Sequence, residues 1–181
     1  MQNSKLKTIY TIGHSTHSPE EFLKMLSSFG IEALADIRSF PGSRKFPQFN
    51  KENLELILPK DDIEYFHFKE LGGRRKLQKN SKNNRWRNAS FRAYADYMET
   101  GEFQNALIRL ENLANEKTTA YMCSEAVWWR CHRSLVSDAL KVKGWNVLHI
   151  MSVGKAEEHP YTSPAIIANG KVCYSDKNLF D

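Results

Sequence analysis

Eleven residues, Cys123 to Arg133, hold two Cys, one Glu, one His and two Arg. A thiol, a carboxylate and an imidazole packed this densely are the groups used for nucleophilic attack and proton transfer. Thr119-Ala-Tyr-Met122 just before them reads as the end of a buried strand. Trp128, Cys131, Leu135, Ala139 and Val142 then recur at helical spacing, which predicts a helix over 128–143 packed on a sheet by that face. Trp129, His132, Arg133 and Val136 fall on a neighbouring stripe, and Cys123, Ser124 and Glu125 fall in the turn. A strand-to-helix turn at the carboxyl end of a sheet strand is the usual ligand position in an open α/β fold. Unpaired N–H groups at the start of the helix would favour an anion there.

Each member of the cluster admits two readings. Cys123 is a nucleophile if the helix terminus and nearby Arg hold it as a thiolate, and otherwise a packed thiol. The spacing Cys123 to Arg130 is C-x6-R, one residue longer than the C-x5-R loop of cysteine phosphatases. Cys131 lies on the apolar stripe and reads as core. Glu125 is an acid/base candidate or a carboxylate that stabilises a helix start. His132 and His14 are proton carriers or satisfied core imidazoles. Cys123, Cys131, His132 and His14 match no common zinc spacing, so no metal and no cofactor are expected.

These groups need elements to hold them. Thr8-Ile-Tyr-Thr-Ile12, closed by Gly13, is the first strand; Ile31 to Ile37 is the second. Between them Ser18-Pro-Glu-Glu21 marks a helix start, with Ser18 as cap, Pro19 in the first turn and Glu21 placed to close a capping box. Strand, helix, strand with short links predicts parallel pairing of these two strands. A short helix capped by Asn50, a strand at Ile63–Phe68, a helix capped by Ser90, another helix after Gly101 and a strand at Asn146–Ile150 follow. Asn169-Gly170 between two short apolar runs predicts a C-terminal hairpin. The alternation gives an α/β fold, a mostly parallel sheet with helices on both faces. The carboxyl ends of such strands share one edge. That edge receives His14 and Ser15, then Asp36, Arg38, Ser43 and Arg44, then Cys123, Ser124 and Glu125. Arg38, Arg44 and Arg133 suit a planar oxyanion, with Asp36 anchoring Arg38 or Arg133.

At 181 residues the chain is read as one domain, 1–181. It has no apolar run long enough to span a bilayer, and residues 1–7 lack the apolar core of a secretory leader. Three Cys, none in a close C-x-x-C pair, point to a reduced, cytoplasmic protein. The net charge of +5 is unevenly spread: residues 69–92 hold nine Lys/Arg against Glu70 alone, so the remainder is net negative. This segment reads as a mobile insertion or as the contact for an anionic partner, through Arg74, Arg75, Lys76, Lys79, Arg85 and Arg87, with Trp86 or Phe91 stacking on bases.

Tyr10-Thr-Ile-Gly-His-Ser15, Ser18-x-x-x-Phe22, Asp36-Ile-Arg38, Pro41-x-Ser43-Arg44 and Phe49-Asn50 occur in order along the chain. Leu71-Gly-Gly73, Cys123-x-Glu125, Cys131-His-Arg133 and His159-Pro160 continue the series. In this set of motifs the chain resembles the DUF488 family of uncharacterised bacterial and archaeal proteins. The resemblance implies a single domain of Rossmann-like layering, and it carries no established reaction. Three functions are in view. The first is a hydrolase or transferase for a phosphate-bearing substrate, a nucleotide or nucleic-acid component. The anion is held by Arg38, Arg44 and Arg133, with Ser15, Asp36 and Ser43 beside it, and Glu125, His132 or His14 moves protons. The second is a nucleic-acid-binding module built on 69–92. The third is a ligand-sensing or scaffold domain whose polar cluster is structural.

Overall fold

The computed structural model describes residues 7–176. The stretch read for a leader therefore lies, apart from Lys7, outside the described residues. β1 (Thr8–Gly13) runs into α1 (Pro19–Ser27), whose first turn is capped as the sequence predicts: Ser18 Oγ accepts from Glu21 N at 3.1 Å, with Pro19 in the first turn. The reciprocal half of the capping box is missing, because the Glu21 carboxylate pairs with His17 Nδ1 at 3.0 Å instead. Ser18→Ala removes the one side-chain cap and should cost about 1 kcal/mol in urea unfolding.

β2 (Ala33–Asp36), β3 (Glu64–His67), β4 (Thr119–Cys123) and β5 (Asn146–Ser152) complete a parallel set, and β6 (Lys155–Glu158) adds an antiparallel edge. The order is β3-β2-β4-β1-β5-β6. The expected direct pairing of the first two strands is thus corrected: β4 lies between them, pairing with β1 on one side and β2 on the other. All five residues of β4 are buried, and a strand covered on both faces takes the centre of a parallel sheet.

α1 and α2 (Lys51–Ile57) cover one face, where Phe22, Met25, Leu26 and Leu54 pack on Ile12, Leu34, Ala120 and Met122. α3 (Ala89–Met98), α4 (Gly101–Glu116) and α5 (Arg133–Val142) cover the other, where Tyr94, Phe103, Leu107, Leu135 and Leu140 pack around Ile9, Ala35, Tyr121 and Val147. The layering is the one the sequence implied. β7 (Ile166–Ala168) and β8 (Lys171–Cys173) form the C-terminal hairpin, with Asn169 and Gly170 both at positive φ.

Two helix starts differ from expectation. Asn88, not Ser90, caps α3, its Oδ1 accepting from the amides of Ser90 and Phe91. Asn50 precedes α2, but its side chain accepts from Ser43 N at 2.6 Å and so ties down the 41–46 loop rather than the helix.

The basic segment 69–92 is packed at several points. Trp86 is buried against Phe91 and Tyr174, and Asn83 donates to Asp96 and Glu99. Arg75 lies 3.4 Å above the Tyr97 ring and donates to the carbonyls of Gly72 and Glu70, while Arg85 bonds Pro164 O and Asp176. Arg74, Lys76, Lys79 and Arg87 remain exposed.

Candidate functional site

The helix expected from Trp128 starts later. Trp128–Arg130 forms a single 3-10 turn, Cys131 is extended at φ −129°, and α5 opens at Arg133. The connection from β4 to α5 is therefore a loop, 124–132, that folds back over the carboxyl end of the sheet. It crosses β1 so closely that a Cβ on Gly13 would fall 1.8 Å from Glu125 O. His14 N and Ser15 N donate to the carbonyls of Cys123 and Ser124 at 3.1 and 2.9 Å, and Ser15 turns there at φ 46°.

The amides at the start of α5 are not open to a ligand. Arg133 N donates to Cys131 Sγ at 3.4 Å, Ser134 N to Cys131 O and Leu135 N to His132 O. The helix start therefore offers an anion no free amide at these positions, and cationic side chains become the candidates. Arg133 is not one of them. It is 1% exposed and lies beneath the loop, donating to Thr11 Oγ1 at 3.1 Å and to Glu125 O at 2.8 Å. Its guanidinium fastens the loop to β1, a positioning task in place of the expected substrate contact.

Arg38 is also engaged by the protein itself. Nε and Nη2 grip both oxygens of the buried Asp36 carboxylate at 2.9 and 2.6 Å, and Nη2 also reaches Phe49 O. Nη1 donates to His14 Nε2 at 3.3 Å, while His14 Nδ1 donates to Ser15 O and the ring stacks on Phe49. Both His14 nitrogens are engaged, and burial lowers its pKa, which favours the neutral ring in its contact with Arg38. Asp36 does anchor Arg38, as one of the two expected partners, and also accepts from Tyr65 OH. Burial and then the Asp36 charge raise the Tyr65 pKa, so that phenol stays a donor.

A cleft of about 680 Å³ opens between the 38–46 segment, the 73–74 turn and the 124–132 loop. Cys123, Cys131 and His132 meet along it, with His14, Ser15, Arg38, Ser43 and Glu125 also lining it. Arg44 is exposed and outside this lining; Lys45, Arg74 and Arg130 supply cations in its place. Phe40, Phe46 and Phe91 are the aromatic walls. A separate hollow by Asn84, Arg85 and Asp176 holds no thiol or imidazole.

Among these residues His132 is held most specifically. Its Nε2 lies 3.1 Å from Ile37 O, and a carbonyl only accepts, so Nε2 carries the proton. Nδ1 then faces the two sulfurs, 3.6 Å from Cys131 and 3.9 Å from Cys123. Cys131 is buried as expected, but it belongs to this cluster as much as to the core. Donation by the Cys131 thiol, with His132 and Arg133 nearby, holds the Cys123 thiol well below the usual range against the opposing effect of burial. Burial and the adjacent Cys123 push Cys131 up.

Behind the loop lies a buried network that the sequence did not foretell. Arg133 donates to Thr11, and Thr11 Oγ1 is 2.8 Å from His149 Nδ1. His149 Nε2 is 2.9 Å from His159 Nδ1, and His159 Nε2 is 2.9 Å from Asp138 Oδ1. All five side chains are buried. Asp138 also accepts from Thr162 N, Thr162 Oγ1 and Tyr174 OH. Burial, then His159 and Arg133, push the His149 pKa down to about 2, so it stays neutral, and Trp128 stacks flat on it at 4.6 Å. The signal in the sequence is Ser134, Ser137 and Asp138 on one side of α5 beside its apolar Leu135, Val136, Ala139 and Leu140, with His149 between Leu148 and Ile150 in a strand.

Neither the comparison with curated proteins nor that with solved structures gave a match. The family model described as "Domain of unknown function DUF488" matches residues 18–140. That span runs from the cap of α1 nearly to the end of α5 and includes Arg38, Cys123, Cys131 and His132. The chain belongs to the DUF488 family.

Proposed function

We propose that the protein is an enzyme, a hydrolase or transferase, acting on a phosphate-bearing substrate in the cleft at the carboxyl edge of the sheet. One observation carries this reading: a single cleft has Arg38, Lys45, Arg74 and Arg130 on its walls and two thiols with an oriented imidazole along it. Lys45, Arg74 and Arg130 against the one carboxylate of Glu125 favour an anion, the charge of Arg38 being offset by Asp36, and Arg presents a fork matched to phosphate oxygens. Phe40, 63% exposed with Arg74 stacked 5.2 Å above it, offers a face for a base, which favours a nucleotide or nucleic-acid component over bare phosphate. Glu125, exposed at the loop, is the candidate proton carrier.

Against the nucleic-acid-module reading, Trp86, one of its two stacking candidates, is buried, which leaves Phe91, and two of its cations, Arg75 and Arg85, are bonded to the protein itself.

The test is a thermal shift with nucleoside monophosphates, the matching nucleosides and inorganic phosphate. A nucleotide at about 100 times its Kd should raise Tm by roughly 5–10 °C. Arg74→Ala with Arg130→Ala should abolish most of that shift while leaving the Tm of the free protein nearly unchanged. Equal shifts from nucleosides and nucleotides, or none from either, would overturn the proposal. For an identified substrate, Glu125→Gln should lower kcat by about 10²–10⁴ with binding retained.

A further inference from the structure

Linear spacing gave no metal motif, but the fold brings Cys123, Cys131 and His132 together, with two sulfurs and one ring nitrogen all within 4.8 Å of one another. Tetrahedral zinc has bonds of about 2.3 Å to sulfur and about 2.05 Å to nitrogen, which places sulfur–nitrogen edges at about 3.6 Å. The two edges here are 3.6 and 3.9 Å. Both sulfur–nitrogen edges therefore lie within about 0.3 Å of those of a coordination tetrahedron.

Two surrounding contacts are of the kind that support ligands. His132 Nε2 donates to Ile37 O, which turns Nδ1 toward the sulfurs, the outer hydrogen bond common to metal-bound imidazoles. Arg133 N donates to Cys131 Sγ, a bond that stabilises a coordinated thiolate. Gly73 lies against the ring, and its lack of a side chain leaves room for the imidazole: a Cβ there would lie 2.5 Å from Nδ1. All three ligands line the cleft, so a fourth position faces it. Three protein ligands with one open position is the pattern of a catalytic ion, whereas purely structural sites are closed.

We propose that Cys123, Cys131 and His132 bind one thiophilic divalent cation of the zinc class, with its fourth coordination position open to the cleft. Two sulfur donors select such an ion over magnesium or calcium. The ion site stands on its own geometry; that its open position meets a substrate phosphate rests on the reading of the cleft given above.

The experiment is titration of the reduced, chelator-stripped full chain with cobalt(II), followed by displacement with zinc. Expected are thiolate-to-cobalt charge-transfer absorption, tetrahedral d–d bands, one ion per chain, and loss of both signals on adding zinc. Cys131→Ser and His132→Ala should weaken zinc binding by at least about a hundredfold. Gly73→Ala removes no ligand but should weaken it comparably, and it keeps the test open if a ligand variant fails to fold. Cys173→Ser, on β8 and outside the triangle, should leave the bands intact. Absence of charge-transfer absorption at saturating cobalt, or bands that persist in both Cys131→Ser and Gly73→Ala, overturns the site. Nucleotide thermal shifts on the stripped and on the zinc-loaded protein separate the two proposals. Bands without a nucleotide shift in either form sink the substrate reading and leave the ion; a shift without bands does the opposite.

Discussion

Gly13→Ala should abolish the native fold or cost well over 3 kcal/mol in urea unfolding, more than any other single methyl addition in the sheet. The added carbon would stand 1.8 Å from Glu125 O and 2.7 Å from the carbon of that carbonyl. Both are backbone atoms, so no rotamer change relieves the overlap, and overpacking of this kind costs about 1–3 kcal/mol even where side chains can yield. Giving way here means lifting the 124–132 loop off β1. That breaks the Arg133 Nη2 bond to Glu125 O and the Ser15 bond to Ser124 O together. If the variant does fold, its cleft should have lost the cobalt signal, because Cys131 and His132 travel with the loop. A Gly13→Ala protein with wild-type stability and wild-type cobalt spectra would show that the loop does not pass where described.

Asp138→Ala should lose about 3–5 kcal/mol, because it strands buried donors and not merely a contact. The Nε2 proton of His159, the amide and hydroxyl of Thr162 and the hydroxyl of Tyr174 all end on this carboxylate. Solvent does not reach the His159 and Tyr174 donors to take over, since Asp138 and His159 are fully buried and Tyr174 is nearly so, while Thr162 is half-buried. The corresponding drop in Tm is roughly 10 °C for a domain of this size. Asp138→Asn is the informative partner. Its amide oxygen can still accept from His159 and the Thr162 amide, and the two hydroxyls can rotate to accept from its NH2 group. The Asn variant should therefore keep more than half of what Ala loses, measured by urea midpoints at constant m-value. Equal losses in the two variants would mean that the negative charge, and not the set of hydrogen bonds, is what the core requires.

How much of this could be read from the sequence depends on how local each cause is. The α1 cap, the Asn-Gly hairpin and the alternation of strands and helices are set by neighbours in the chain, and they were legible. The position of β4 between β1 and β2 was not, because pairing of distant strands leaves no local mark beyond the mostly apolar run of β4. At the site, residue types were legible and directions were not. Arg38, Arg44 and Arg133 look alike as letters. In the fold one is locked to Asp36, one is exposed away from the cleft and one lies under the loop. Cys131 reads as core when helical spacing is extended back through Trp128. The break at Cys131 turns its sulfur toward Cys123, and only the folded backbone reveals that. His149 and Asp138 give no warning of their roles because a buried polar residue in an apolar element is visible in sequence, while its partner ten or twenty residues away is not.

The chain from Arg133 through Thr11, His149 and His159 to Asp138 has the outline of a conduit, yet its end members make it an insulator. A guanidinium has only protons to give and keeps them at any ordinary pH, and a carboxylate has only lone pairs. Arg133 can only donate to Thr11 and the Asp138 carboxylate accepts from His159, so the direction of donation is fixed at both ends of the row. A guanidinium that keeps its protons cannot feed the row, so no proton enters from the Arg133 end. Its contribution to the cleft is orientational: the loop bearing the thiols rests on a buried row of hydrogen bonds anchored at both ends.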